Sequence, residues 1–121
     1  MIKRISGFYI SLLIVGSMTL HAESTVSRTY EFEPNRPNAI DNPLFWQLDT
    51  QCLIVTMEGE NLLKGTMKRN NATINGRYLS EGESTTLTVR NKEFMHIVAD
   101  RGARVEIINF GKKTVTATCK I

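Results

Sequence analysis

Two cysteines, Cys52 and Cys119, have the most definite chemistry in this chain of 121 residues. A metal site would need further ligands, and redox-active cysteines are usually close in sequence. This pair meets neither condition, so we predict a structural disulfide, as is common in an oxidising compartment. The bridge would close about 68 residues and stabilise the fold by roughly 4 kcal/mol. We expect no bound metal and no cofactor.

His96 is the other candidate for chemistry, because it is the only histidine after residue 22. It lies in an apolar stretch, residues 94–99, where a partly buried, hydrogen-bonded histidine is the ordinary interpretation. Catalysis would require a nucleophile or a carboxylate within reach of the ring. The chain contains no G-x-S-x-G, no H-E-x-x-H and no glycine-rich phosphate loop. We therefore predict a protein that is not an enzyme, and keep a small hydrolase centred on His96 as the least favoured alternative.

Phe45 and Trp46 follow a proline-rich segment and are the best candidates for a recognition surface. Tryptophan is enriched at binding hot spots. The competing interpretation, which the sequence favours, places Trp46 in the core beside the Cys52–Cys119 bridge.

The first 22 residues have the three-part pattern of a secretory signal peptide. Lys3 and Arg4 are followed by an apolar stretch, residues 5–20, and by the small residue Ala22. That stretch is shorter than the roughly 20 residues needed to span a bilayer, which disfavours an uncleaved anchor. We predict cleavage after Ala22, export to the bacterial periplasm or beyond, and no transmembrane segment in the mature form.

Basic residues are concentrated in the second half of the chain. Without Lys3 and Arg4, thirteen basic residues face twelve acidic ones, so the mature net charge is +1 and nucleic acid is not an expected partner. A basic face for an anionic glycan, phospholipid headgroups or an acidic protein remains an alternative to ordinary surface charge. Its candidate members are Lys64, Lys68, Arg69, Arg101, Arg104, Lys112 and Lys113.

Polar and apolar residues alternate with period two through much of the second half of the chain, and turn-forming segments separate the runs. Residues 114–121 alternate without a slip, and Asn75-Gly76 predicts a hairpin. Residues 26–32 favour an edge strand, and residues 94–99 a central strand covered on both faces. Residues 33–43, which contain all three prolines, predict an irregular loop.

These patterns predict one domain, residues 23–121, folded as an antiparallel β-sandwich of seven or eight short strands. The architecture is immunoglobulin-like, but Trp46 precedes the first cysteine instead of lying between the two, so no family is assigned. The function we expect is that of an exported, non-enzymatic interaction module that binds another protein, for example as an inhibitor or an envelope factor. The alternative is a module that binds carbohydrate or an anionic surface.

Overall fold

The protein folds into ten β-strands in a computed structural model that describes residues 26–121. The predicted signal peptide and its cleavage after Ala22 lie outside the described residues. The strands are β1 (Ser27–Phe32), β2 (Asn38–Asp41), β3 (Leu48–Thr56), β4 (Glu60–Arg69), β5 (Ala72–Ile74), β6 (Arg77–Leu79), β7 (Ser84–Arg90), β8 (Phe94–Ala99), β9 (Arg104–Asn109) and β10 (Val115–Lys120).

Two antiparallel sheets pack face to face, which confirms the predicted sandwich. One sheet has six strands in the order β1-β10-β3-β8-β5-β6, and the other has four in the order β2-β9-β4-β7. Four antiparallel pairs are nested in the chain: β1 with β10, β2 with β9, β3 with β8, and β4 with β7. This nesting is the connectivity of an eight-stranded jelly roll rather than that of an immunoglobulin domain. The hairpin β5–β6 extends the six-stranded sheet and brings the strand count to ten, compared with the seven or eight predicted.

The core lies between the sheets and is built from every second residue of the strands. Phe32, Ile54, Leu63, Met95 and Ile107 are among its fully buried side chains. Their spacing follows the strand geometry, in which successive side chains point to opposite faces. The strictly alternating β10 shows this directly, with Val115, Ala117 and Cys119 buried.

The predicted disulfide forms between Cys52 on β3 and Cys119 on β10. The two residues are direct cross-strand partners, so the bridge lies within the six-stranded sheet and does not join the two sheets. Both side chains point into the core and are almost completely buried. The bridge ties β3 to β10. The presence of a disulfide indicates an oxidising environment for the protein.

The hairpin and the edge strand also form where the sequence predicts them. Asn75 and Gly76 both have positive φ, 47° and 82°, as a two-residue turn of the primed type requires. Strand β1 lies at an edge of the six-stranded sheet.

Two expectations from the sequence are wrong. Strand β8 is central in its sheet, but only one of its faces is covered: Met95, Ile97 and Ala99 are buried, whereas Phe94 is 60% exposed. The segment 33–43 is also not entirely irregular, because Asn38–Asp41 forms β2 and pairs with β9. The prolines that flank β2 keep it short, as expected at a sheet edge.

Candidate functional site

The aromatic pair Phe45–Trp46 lies on the loop between β2 and β3, at one end of the sandwich. Phe45 is 81% exposed and Trp46 is 63% exposed. Trp46 therefore does not pack in the core beside the disulfide, contrary to the interpretation that the sequence favours. The backbone carbonyl of Trp46 points inward and accepts a hydrogen bond from Asn42, whereas the indole ring lies on the surface.

Asn42 fixes this loop to the rest of the sandwich. Its side chain is 5% exposed, and its Nδ2 donates to three carbonyls: Trp46 at 2.9 Å, Asp100 at 3.1 Å and Ala99 at 3.2 Å. Its Oδ1 accepts from the N–H of Leu44 at 2.9 Å. One buried amide thus holds the aromatic loop against the turn that joins β8 and β9. The patterns of the sequence do not single out Asn42 for this role, although an Asn before a proline is a common turn signal.

A second asparagine joins the connection between β4 and β5 to the same turn. Asn70, which has a φ of 57°, donates from Nδ2 to the carbonyl of Arg101 at 2.7 Å. The guanidinium of Arg69 donates from Nε to the carbonyl of Gly102 at 2.9 Å. We call the surface formed by segments 42–47, 69–71 and 100–103 the tryptophan end.

Four of the predicted basic residues come together at or beside the tryptophan end: Lys68, Arg69, Arg101 and Arg104. Arg69 lies opposite Arg104 across the β4–β9 pair, next to a register shift in β4. The sequence could not show this clustering, because the residues lie on different strands and turns.

Carboxylates neutralise part of this cluster. Arg104 donates from Nε to Asp41 Oδ1 at 2.7 Å, and Lys68 Nζ lies 3.9 Å from Glu106 Oε1. The hydrogen bond and the negative charge of Asp41 raise the pKa of Arg104. Within residues 26–121, Arg69 and Arg101 form no ion pair. The tryptophan end therefore combines exposed aromatic area with two cations that remain available to a partner.

Lys112 and Lys113 lie at the opposite end, in the loop between β9 and β10. Their N–H groups both donate to Glu58 Oε1 at 3.1 Å. Lys64 lies on the outer face of the four-stranded sheet, opposite Ile108. The seven basic residues of the sequence prediction thus do not form one face.

A network of buried polar side chains organises the opposite end. Asn109 is fully buried and donates from Nδ2 to the carbonyls of Phe32 at 2.8 Å and Lys113 at 2.7 Å. Asn61 accepts from the hydroxyl of Thr56 at 2.8 Å and donates to Glu58. Burial raises the pKa of Glu58, but the hydrogen bonds from Lys113, Lys112 and Asn61 outweigh it, so this pKa lies below its ordinary value. The period-two pattern gave no sign of this network.

His96 has a carboxylate partner on the outer face of the six-stranded sheet. Its Nε2 lies 2.6 Å from Asp49 Oδ1, and the two side chains are 40% and 68% exposed. Asp49 comes from β3, so only the sheet register brings it to His96. In the part of the chain that the structure describes, no hydroxyl or thiol is hydrogen-bonded to the imidazole.

Residues 26–121 contain no cluster of three or more histidine, cysteine or carboxylate side chains that could hold a metal ion. Over the same range, the structure contains no helix that could span a membrane. Comparisons with protein-family models, with curated proteins and with solved structures find no match.

Proposed function

We propose that this chain is an exported interaction module and that it binds a partner protein through the tryptophan end. The observation that carries the proposal is the exposure of Phe45 and Trp46 on a loop that Asn42 holds in place. Exposed aromatic side chains on an ordered loop are typical of binding hot spots.

The energetics favour a partner that covers both rings. Burying a large apolar side chain contributes about 1.5–3 kcal/mol of stabilisation. Both rings are largely exposed in the free protein, so most of this contribution would be gained only when a partner covers them. Because the loop is already hydrogen-bonded to the β8–β9 turn, binding orders little additional backbone. Arg101 adds a charged donor at the rim, a residue type that is also enriched at hot spots.

A second candidate is a module that binds an anionic glycan or an anionic surface. It is favoured by Arg69, at the end of β4, and Arg101, on the β8–β9 turn. Neither forms an ion pair with a carboxylate among the described residues. Salt separates the two candidates: binding dominated by these cations falls steeply with ionic strength, whereas binding dominated by the aromatic pair does not.

Export is part of the proposal. It is supported by the disulfide and by the signal-like pattern of residues 1–22. A mass measurement of the purified and denatured protein, with and without reductant, tests it. We expect a chain that begins at Glu23 and carries a disulfide; a full-length chain with two free thiols would contradict export.

The binding test compares surface variants as bait for proteins of the envelope and the culture medium. We expect the wild type to retain one protein in stoichiometric amount and the Phe45→Ala/Trp46→Ala double variant to lose it. Phe94→Ala is the matched control, because Phe94 is also well exposed. It lies on β8, on the outer face of the six-stranded sheet, away from the aromatic loop.

The outcome that contradicts the proposal is equal retention by the double variant and the wild type. Retention that Phe94→Ala abolishes would instead move the binding surface to the outer face of the six-stranded sheet.

A further inference from the structure

Among the described residues, the two sheets have four edge strands, and three of them are protected against pairing with another chain. Strand β2 has four residues and lies between prolines, and β6 has three residues. Strand β1 carries the charged residues Arg28 and Glu31. Short length, proline and charge are the usual devices that blunt a sheet edge.

The fourth edge, β7, has none of these devices along most of its length. It has seven residues, Ser84–Arg90, without a proline, and its only charge is the terminal Arg90. Its register with β4 runs from end to end without a bulge. An open edge of this kind is a template for a further strand.

The backbone of β7 directs alternate hydrogen-bonding groups away from the sandwich. The carbonyl of Leu62 accepts from Phe110 N, so the polar groups of Leu62 face β9 and those of the next residue, Leu63, face β7. Leu63 lies opposite Leu87, so the backbone N–H and C=O of Leu87 are hydrogen-bonded to β4. The N–H and C=O groups of Thr86 and Thr88 therefore point to the open edge.

The contact of the Thr86 carbonyl agrees with that assignment. Among the described residues, it accepts a long side-chain hydrogen bond, 3.4 Å, from the hydroxyl of Thr85 on the same strand. Among the described residues, β7 pairs with β4 alone.

We propose that the open edge of β7 pairs with β7 of a second copy of this chain. The sequence Thr86-Leu87-Thr88 is symmetric about Leu87. An antiparallel pair centred on Leu87 places Thr86 of each copy opposite Thr88 of the other, in the positions whose backbone groups point outward. Threonine pairs across strands are favourable, and identical strands related by a two-fold axis satisfy both edges at once.

The side chains of β7 fit a second copy in the same register. Leu87 is only partly buried in the single chain and meets its counterpart on the inner face. Arg90 would lie opposite Ser84 of the other copy, so the two arginines stay apart. Within each copy, the charge of Arg90 is also paired with Glu60: Arg90 Nη2 lies 3.0 Å from Glu60 Oε2.

A pair of matched variants tests the register as well as the contact. Thr86 and Thr88 are both exposed, so lysine or glutamate at these positions leaves the core untouched. In Thr86→Lys/Thr88→Lys, like charges face each other across the interface. In Thr86→Lys/Thr88→Glu, each lysine faces a glutamate of the other copy.

The molar mass in solution, measured by light scattering during size-exclusion chromatography, is the readout. We expect a dimeric wild type, a monomeric Lys/Lys variant and a dimeric Lys/Glu variant. Circular dichroism checks that each variant is folded. Thr88→Pro gives an independent test: it removes an N–H that points outward and spares the β4 ladder, so we expect a folded monomer.

Three results would overturn the proposal. They are a wild type that stays monomeric at the highest concentration it tolerates, a dimer that the Lys/Lys variant leaves intact, and a Lys/Glu variant that is as monomeric as Lys/Lys. None of these variants changes the tryptophan end, so failure of this proposal leaves the proposed function to its own test.

Discussion

The buried amide of Asn42 donates a hydrogen bond to the backbone carbonyl of Trp46, 2.9 Å away, while the indole of Trp46 remains exposed. The same amide group reaches the carbonyls of Ala99 and Asp100. A side chain that no partner can touch therefore determines where the exposed aromatic pair is held.

Replacing Asn42 should weaken both the fold and partner binding. Asn42→Ala leaves buried carbonyls and the N–H of Leu44 without their partner, and we expect a loss of about 1–3 kcal/mol in the free energy of unfolding. Urea denaturation measures this loss. Trp46→Ala is the control, because its exposed side chain should change stability by no more than about 0.5 kcal/mol. Equal stability of Asn42→Ala and the wild type would show that Asn42 does not hold the loop.

Thr50 offers the opposite case, a buried hydroxyl without a partner. It lies on β3, is 7% exposed, and its Oγ1 makes no hydrogen bond with the described residues. Thr50→Val removes this hydroxyl with little change of shape, so we expect equal or higher stability, by up to about 1 kcal/mol.

Thr56→Val on the same strand is the matched control for that prediction. Thr56 is equally buried, but its hydroxyl donates to Asn61 and accepts from Glu58 N–H. We expect a loss of about 1–3 kcal/mol, since both partners are left unsatisfied. If Thr50→Val cost as much as Thr56→Val, the Thr50 hydroxyl would have to be bonded, for example to a buried water.

The disulfide should account for a large part of the stability. Cys52→Ala/Cys119→Ala releases a constraint between residues 67 positions apart, and we expect the free energy of unfolding to fall by roughly 4 kcal/mol. Chemical denaturation of the variant and the wild type gives the difference. Reductant should have little effect on the folded wild type, because both sulfur-bearing side chains are buried. A bridge that is readily reduced in the folded protein would contradict this burial.

The loop between β9 and β10 should loosen in acid. The pKa of Glu58 lies below its ordinary value of 4.5, so its contribution is complete above that value and is lost as the pH falls through the lowered pKa. Amide exchange at Lys112 and Lys113, whose N–H groups donate to Glu58, should accelerate over this range relative to β10. Glu58→Gln should remove the acid dependence specific to these amides.

The regular part of the fold follows from local patterns in the chain. Period-two alternation fixes which side chains of β10 and β9 face the core, and Asn75-Gly76 fixes a hairpin, because strand pleating and turn sterics act over a few residues. With two cysteines in the chain, a single disulfide is the only intramolecular pairing possible. The sequence by itself therefore determined the sandwich class, most of the strands and the bridge.

The tertiary structure decided which distant residues meet and which side chains are exposed, because sheet order depends on pairing between residues far apart in the chain. The β3–β8 register brings Asp49 to His96, and the β4–β9 register brings Arg69 to Arg104. Trp46 is apolar enough for a core, yet it lies on a loop that Asn42 holds through the backbone carbonyl of Trp46, so its ring is exposed. Likewise, an apolar run such as Phe94–Ala99 is equally compatible with one covered face or two, and only the packing of the second sheet selects between them.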